Sequence, residues 1–428
     1  MNEAQELQGG DSLKQEHSFF VDHDLVISLI SELCGSNWSK VWQGTYEKLD
    51  KTLSKYQEQP QILGPHIEEM VQPLMLHLED MVCGSGKVDI NDPVAMSRFH
   101  VICKSLHLIC RVRGYKHVSK HFPHEVSQLE NCLLLLQLQN RNDHETWQSR
   151  YILLIWLCML CLIPFDICTV DSSLKLLSSS SDTPGTAGAE GSSKIVSLVK
   201  SLCQEYLEDS GPTREAASYC LSALLTRPDM ESTVLFEFVA WSSTVLASWL
   251  SKGKEAENEL TKDSFRILGT LSCLAEIFKK GHREKILPHA MTVLGPCLIL
   301  HSQPNQTKTR KLLTKLSQRI GMTFLPPRVA QWRYQRGNRS LMDNLKSNSS
   351  GDDALSSIKG TDENLENDED DVPHELEEIV ELLLLSLQDK DTVVRWSAAK
   401  GIGRITMRLP RLLADDVVEA LLIGFEDR

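Results

Sequence analysis

The sequence has few aromatic residues and lacks the motifs that mark common enzyme classes. Phe, Trp and Tyr make up 6% of its 428 residues. No GxxxxGK[ST], GxSxG or HExxH segment occurs, and Gly401–Gly403 lies inside a helical pattern rather than after a strand. His117, His121 and His124 lie close together, but Pro123 interrupts the spacing that would align them on one metal, so we interpret them as surface histidines. We assign no catalytic, cofactor-binding or metal-binding residue and expect a non-catalytic protein.

The N-terminus also lacks a secretory signal. Residues 1–17 contain neither a basic n-region nor an apolar h-region, so we expect a cytoplasmic protein. The 12 cysteines are scattered singly through helical patterns. In a reducing compartment such cysteines are typical of small buried hydrophobes rather than disulfides.

A long membrane-spanning run is absent as well. The most apolar stretch, Tyr151–Ile163, is bounded by Arg150 and Pro164 and is shorter than the roughly 20 residues that a spanning helix needs. It therefore predicts a helix buried on all sides, and no transmembrane segment. Its Cys158 and Cys161 have no second CxxC or His pair nearby, which favours core packing over a metal or redox site.

What the sequence does contain is helical periodicity along nearly its whole length, with little strand alternation. We predict an all-α solenoid of HEAT/armadillo-type repeats, because paired helices bury their apolar faces only by stacking on further pairs. The predicted organisation is a disordered N-terminus 1–20, a helical-repeat array 21–345 with a mobile Ser/Gly loop 178–193, an acidic disordered linker 346–372, and a repeat followed by one more helix 373–428.

The clearest repeat is Pro373–Leu409, two helical patterns joined by a short polar turn. Asp389 in the turn, with Val394 and Arg395 early in the second helix, falls at the spacing of HEAT repeats. In such arrays the Asp and Arg bridge successive repeats, so we assign these residues a structural role. Trp396 either packs at the repeat edge or faces a partner.

After this repeat the sequence has one further helical pattern. Leu412–Phe425 reads as the first helix of another repeat, and only three residues follow it. A solenoid needs a cap on its last apolar face. We therefore expect the chain to be the N-terminal part of a longer protein.

A strongly basic stretch precedes the acidic linker. Lys308–Arg339 carries nine Lys or Arg and no acid, whereas Gly351–Val372 carries nine acids and one Lys. Such a concentration of positive charge predicts an anionic neighbour. That neighbour is the linker itself, a nucleic acid or an acidic protein partner.

Aromatic and basic residues alternate within this stretch. Trp332 and Tyr334 lie among Arg328, Arg333 and Arg336, a mixture that suits base stacking with phosphate contacts or a protein interface. The net charge of −13 argues against a dedicated nucleic-acid binder. These five residues are our candidates for partner binding, with no nucleic acid among the expected partners.

Several segments resemble the tubulin-folding cofactor D family, in the same order and at similar spacing from about residue 46 onward. They are KYQEQP (Lys55–Pro60), VRGYK (Val112–Lys116), FPHEV (Phe122–Val126), LIPFD (Leu162–Asp166), WRYQRG (Trp332–Gly337) and DKDTVVRWSAAKGIGR (Asp389–Arg404).

This resemblance implies a HEAT-repeat chaperone scaffold without cofactors of its own. It would capture β-tubulin and act with the folding cofactors C and E in αβ-tubulin heterodimer assembly. It would also act with them as a GTPase activator toward tubulin, bind a small Arf-like GTPase, and associate with the cytoskeleton or centrosome. The competing hypothesis is a HEAT-repeat adaptor for transport cargo or nucleic acid, since this fold hosts many functions.

Overall fold

The computed structural model describes residues 19–84, 89, 91–167, 194–230, 233–251, 262–303, 306–326 and 372–426. The predicted N-terminal segment, Ser/Gly loop and acidic linker lie outside these ranges, except for residues 19, 20 and 372 at their ends. The chain divides into two compact units, Met1–Leu202 and Cys203–Arg428, so the predicted array 21–345 is shared between them.

The described part of the first unit is helical. Its helices are α1 (His23–Cys34), α2 (Trp38–Ser54), α3 (Ile67–Cys83), α4 (Pro93–Arg113), α5 (Tyr115–Val118), α6 (Gln128–Gln137) and α7 (Trp147–Leu160), and α8 (Lys194–Tyr206) contains the boundary to the second unit. A 3₁₀ helix, Pro60–His66, leads directly into α3. Helix α1 packs on α2 and α3, and α4 packs on α2, α3 and α7.

Helix α4 shows how local sequence sets the ends of these helices. The Asp92 carboxylate accepts the Val94 amide at 2.9 Å and caps the N-terminus, and Pro93 occupies the first position, where no amide is needed. At the other end Gly114 has a φ of 92°, a conformation that glycine adopts without steric cost, and its N–H donates to the Cys110 carbonyl at 2.9 Å.

Helix α7 is the core helix of the first unit and confirms the buried helix predicted for this region. Trp156 is fully buried, and its indole N–H donates to the Pro123 carbonyl at 2.8 Å. Cys158 and Cys161 are buried in this apolar region, which confirms their packing role.

The described part of the second unit also contains helices only. They are α9 (Pro212–Leu225), α10 (Val234–Ser251), α11 (Lys262–Lys280), α12 (Arg283–Ile286), α13 (Ala290–Ser302), α14 (Thr307–Phe324), α15 (Glu375–Ser386), α16 (Thr392–Thr406) and α17 (Arg411–Glu426). Helices α9, α11, α14 and α16 pack each on the next, and α10, α13 and α15 pair with α11, α14 and α16 respectively. This row of stacked hairpins confirms the predicted all-α helical-repeat solenoid class.

Helix α10 is, within the described ranges, the helix that is long and apolar enough to cross a membrane by length and composition alone. It packs on α11 and α13 and buries Phe238 and Leu246. A core helix of a water-soluble protein has the same composition, so one such helix is weak evidence for a span. The absence of a transmembrane segment stays a prediction.

Candidate interaction surface

The turn between α15 and α16 is the best-defined polar feature of the second unit. The Asp389 carboxylate accepts the Asp391 amide at 2.8 Å, which closes the turn locally. Arg310, on α14, donates from Nε to Asp389 Oδ2 at 2.7 Å and from Nη2 to Asp389 Oδ1 at 3.1 Å, and it also pairs with Asp391. Thr307 donates to Asp391 at 2.7 Å. The turn is therefore tied to the preceding helical hairpin through a forked arginine contact.

This contact is largely buried. The side chains of Arg310 and Asp389 are 15% and 13% exposed. Burial raises the pKa of the Asp389 carboxyl, but the hydrogen bonds from Arg310 and from the Asp391 amide outweigh that effect, so the pKa lies below its usual value. Asp389 is thus held ionised as the anionic half of a bridge between neighbouring hairpins.

Asp389 and Arg395 were both predicted to bridge successive repeats; Asp389 contacts Arg310 of the preceding hairpin, whereas the hydrogen bonds of Arg395 lie within its own turn. The Arg395 guanidinium donates to the main-chain carbonyls of Asp389 at 2.8 Å and Lys390 at 3.0 Å, and to Thr392 Oγ1 at 2.8 Å. It closes its own turn rather than reaching the Asp389 carboxylate. Val394, the third residue of the predicted set, is completely buried.

Glu276 on α11 forms a second polar contact between hairpins. Arg319 on α14 donates to Glu276 Oε1 at 3.2 Å, and the ammonium groups of Lys315 and Lys280 lie 3.7 and 3.8 Å from the carboxylate oxygens. Burial raises the pKa of Glu276, but these cations, Arg319 foremost, bring it below its usual value. A buried carboxylate with several cations nearby is compensated rather than left isolated.

These contacts change the interpretation of the basic stretch. Arg310, Lys315 and Arg319 belong to it, and in the described part of the chain they have anionic neighbours in Glu276 and in the α15–α16 turn. Sequence reasoning missed this because the acids are distant in the sequence: Glu276 lies about 40 residues before Arg319, and Asp389 lies about 80 residues after Arg310. Arg310 lies in the first turn of α14, where a cation is unfavourable without an anionic partner. Its position therefore indicated a nearby acid but did not identify which one.

The five predicted partner-binding residues lie outside the described residues. They are Arg328, Trp332, Arg333, Tyr334 and Arg336. Their assignment stays a prediction.

An apolar groove lies between α15, α16 and α17. It has a volume of about 430 Å³, and its lining includes Leu384, Leu385, Trp396, Ala399 and Leu421. Leu385 and Trp396 are each 64% exposed. The Trp396 ring therefore faces outward within the described part of the unit.

A cation covers one face of that ring. Lys400, one helical turn after Trp396, holds its ammonium 4.8 Å from the ring centroid. This distance is within cation–π range. The aromatic ring is thereby kept in place on the helix surface without being buried.

Stacked helical hairpins, tied together by buried polar contacts, define the class of ARM/HEAT-type repeat proteins. Two family models match the chain: "Tubulin-specific chaperone D-like, ARM repeat" over residues 53–246 and "Tubulin-specific chaperone D-like, ARM repeats" over residues 308–428. Together they cover well over half of the chain. The chain therefore belongs to the tubulin-specific chaperone D-like family.

Curated relatives carry names that agree with the family. Tubulin-folding cofactor D of Schizosaccharomyces pombe is 27% identical over 414 residues, covering 94% of this chain and 31% of the relative. Tubulin-specific chaperone D of Dictyostelium discoideum is 26% identical over 473 residues, covering 92% of this chain and 32% of the relative. The chain spans about a third of the length of both relatives.

Among solved structures, an engineered protein is 12% identical to this chain. The alignment covers 89% of this chain and 98% of the engineered protein. Its TM-score is 0.23, which is too low to support a structural argument.

Proposed function

We propose that the chain is part of a tubulin-folding chaperone scaffold that captures β-tubulin during assembly of the αβ-tubulin heterodimer. The observation that carries the proposal is the match of two tubulin-specific chaperone D-like models along the chain, supported by relatives named as tubulin-folding proteins. Stacked hairpins form a large preorganised surface, which suits the holding of a folded partner.

The same family relationship supports a set of partners. They are β-tubulin, the tubulin-folding cofactors C and E, and a small Arf-like GTPase. In this proposal the chain is not itself an enzyme and contributes to GTPase activation only through tubulin. An arginine supplied by one protein can accelerate hydrolysis on another without any nucleotide motif of its own. The proposed location is the cytoplasm, with association at the cytoskeleton or centrosome.

Within the proposal, the contact region for tubulin is the basic and aromatic stretch around Arg328, Trp332, Arg333, Tyr334 and Arg336. Arginines supply charge toward an acidic surface, and the two aromatic rings supply rigid apolar area. The acidic segment that follows is tethered nearby, so it competes for the same arginines at a high effective concentration.

The test is the affinity of the purified chain for tubulin, measured across a salt series. We expect affinity to fall as salt rises, because exposed charge pairs are screened over about 8 Å at physiological ionic strength. Replacing Arg333 and Arg336 by Gln should weaken binding by roughly tenfold. Deleting Gly351–Val372 should strengthen binding, since the internal competitor is removed.

The matched control is Lys308→Gln with Lys311→Gln. Both lysines are exposed on α14, within the same basic stretch, and their replacement removes the same amount of charge. If this control weakens binding as much as the arginine variant, net charge alone explains the effect. If neither variant nor the deletion changes the affinity, the stretch is not the tubulin contact.

A further inference from the structure

Two histidines and a glutamate converge in the first unit, although they are far apart in the sequence. His23 is the first residue of α1, His66 ends the 3₁₀ helix before α3, and Glu69 lies in the first turn of α3. Each offers one ligand atom, and these three atoms all lie within 4.8 Å of one another. In the described part of the chain this cluster is the one group of metal-ligating side chains with such spacing.

The distances suit a small divalent ion. His23 Nε2 lies 2.7 Å from Glu69 Oε2, and His66 Nδ1 lies 4.0 Å from the same oxygen. The two imidazole rings are 4.6 Å apart between centroids. Tetrahedral zinc with bonds of about 2.1 Å places its ligand atoms about 3.4 Å apart. Side-chain shifts on the order of 1 Å would therefore bring all three atoms to one ion.

A fourth residue, the exposed Asp24, contacts His23. Its Nδ1 lies 3.0 Å from Asp24 Oδ1, so an Nδ1–H donating to Asp24 leaves Nε2 directed at Glu69 and His66. A carboxylate behind a metal-binding imidazole is the usual outer-shell partner of zinc histidines.

The two histidines also have packing contacts, whereas the Glu69 side chain is 60% exposed. The buried Phe20 ring contacts His23 and His66, with ring centroids 5.8 and 5.5 Å apart, and packs edge-on against Tyr56 at 5.0 Å. The His23 and His66 side chains are 29% and 35% exposed, so one side of the cluster is open to water.

A neighbouring contact anchors the segment that carries Phe20 and His23. The Tyr56 hydroxyl donates to Asp22 at 3.0 Å, and Lys55 pairs with the same carboxylate at 3.1 Å. The start of α1 is therefore joined to the end of α2 before any ion binds. This preorganisation lowers the cost of forming a site.

We propose that His23, His66 and Glu69 form a binding site for a divalent transition metal, with zinc as the ion that best fits two imidazoles and one carboxylate, and with water in the fourth position. Imidazole and carboxylate ligands at these distances match zinc rather than calcium or magnesium, which take oxygen ligands alone. The ion would tie the start of α1 to the start of α3 and so stabilise the first unit.

The test uses the purified full chain after chelator treatment. We expect one equivalent of Zn²⁺ to bind and to raise the thermal midpoint, because an ion that binds the folded state stabilises it. Co²⁺ should bind competitively and give a visible spectrum without the intense sulfur-to-cobalt band that cysteine ligation produces. That band would place the ion on the cysteines and overturn the proposal.

Variants assign the binding to these residues. Glu69→Gln and His66→Gln should abolish the zinc-dependent shift in thermal midpoint. Asp24→Asn, which leaves the three ligands in place, should weaken Zn²⁺ binding by about tenfold. His117→Ala removes an exposed histidine elsewhere in the unit and should leave binding unchanged.

The proposal fails if Glu69→Gln and His66→Gln bind Zn²⁺ as tightly as the parent chain. It also fails if the His117 control loses as much affinity as they do. Circular dichroism of each variant, and the conservative Asp24→Asn change, separate a lost site from a lost fold.

Discussion

At the scale of single residues, the two arginines near the α15–α16 turn have different tasks. Arg310 joins neighbouring hairpins through the carboxylates of Asp389 and Asp391, and its side chain is mostly buried. Arg395 holds carbonyl groups of its own turn. Removal of Arg310 would leave the largely buried Asp389 carboxylate without its cation, whereas removal of Arg395 would leave only neutral carbonyl groups without a donor.

We therefore predict that Arg310→Ala destabilises the second unit more than Arg395→Ala does. Loss of Arg310 leaves the Asp389 carboxylate without its charged partner, at a cost of roughly 2 kcal/mol. Loss of Arg395 exposes carbonyls that water can reach, at a cost of about 1 kcal/mol. Urea denaturation of both variants and of the parent chain measures the difference.

A double-mutant cycle with Asp389→Asn gives the control. If Arg310 acts through Asp389, the double variant should be more stable than the sum of the two single losses predicts. Equal losses for Arg310→Ala and Arg395→Ala, or strict additivity in the cycle, would contradict this assignment.

The stability of the first unit should depend on pH because of two histidines on α4. Burial is the main cause that lowers the pKa of His100 and of His107 to about 4 in each case. His100 Nδ1 lies 2.7 Å from Ser149 Oγ, so its neutral form also has a polar partner. Both imidazoles are therefore neutral in the folded chain at neutral pH.

Because the unfolded chain binds these protons near pH 6.5 and the folded chain only near pH 4, stability is full above pH 6.5 and declines as the pH falls toward 4. Between pH 7.5 and 5.5 we expect a loss of about 1 kcal/mol for each histidine, after allowance for their partial solvent contact. Urea midpoints at the two pH values measure it. His107→Gln should remove about half of the difference, and an undiminished difference would assign it to other groups.

At the scale of helices, small residues decide how closely neighbours approach. A Cβ atom added to Gly269 on α11 would lie 2.3 Å from the Leu207 carbonyl oxygen, a backbone atom that cannot move aside alone. A Cβ added to Gly403 on α16 would have no neighbour within 4 Å. The two glycines share helical surroundings but differ in what lies opposite them.

Gly269→Ala should destabilise the second unit by more than 1 kcal/mol, since the helices must separate to admit a methyl group. Gly403→Ala should stabilise it by up to about 1 kcal/mol, because alanine is the better helix former and meets no clash. Thermal unfolding of the two variants gives the comparison. A stabilised Gly269→Ala variant would show that α11 is free to shift away from Leu207.

At the scale of the whole chain, charge is distributed unevenly. The net charge is −13, yet residues 308–339 contain no acid. A chain that is acidic overall repels nucleic acid at long range, whereas a local basic stretch attracts an acidic protein surface at short range.

Affinity capture of the tagged chain from cytosol distinguishes the proposed chaperone from an adaptor. We expect β-tubulin and a small GTPase among the main bound proteins, and a lower yield of β-tubulin with Arg333→Gln and Arg336→Gln. Nuclease treatment before capture should not change the yield. Recovery of nucleic acid or transport cargo without tubulin would overturn the chaperone proposal.

The sequence alone determined those features that depend on neighbouring residues. Apolar spacing of three and four residues predicted the helices, and the short polar turn Gln388–Asp391 predicted the hairpin of α15 and α16, because both features depend on residues close together in the sequence. The buried role of Cys158 and Cys161 followed in the same way from the apolar run around them.

Only the tertiary structure decided which distant residues meet. The three-residue spacing of His66 and Glu69 predicts that they are neighbours on one helical turn. His23 precedes His66 by 43 residues and joins them because α1 packs on α3. In the same way Arg310 pairs with the Asp389 carboxylate, 79 residues away in the sequence. The physical reason is that a helix dictates the spacing along its own axis, whereas the partner it faces depends on how whole helices stack and bury their apolar sides.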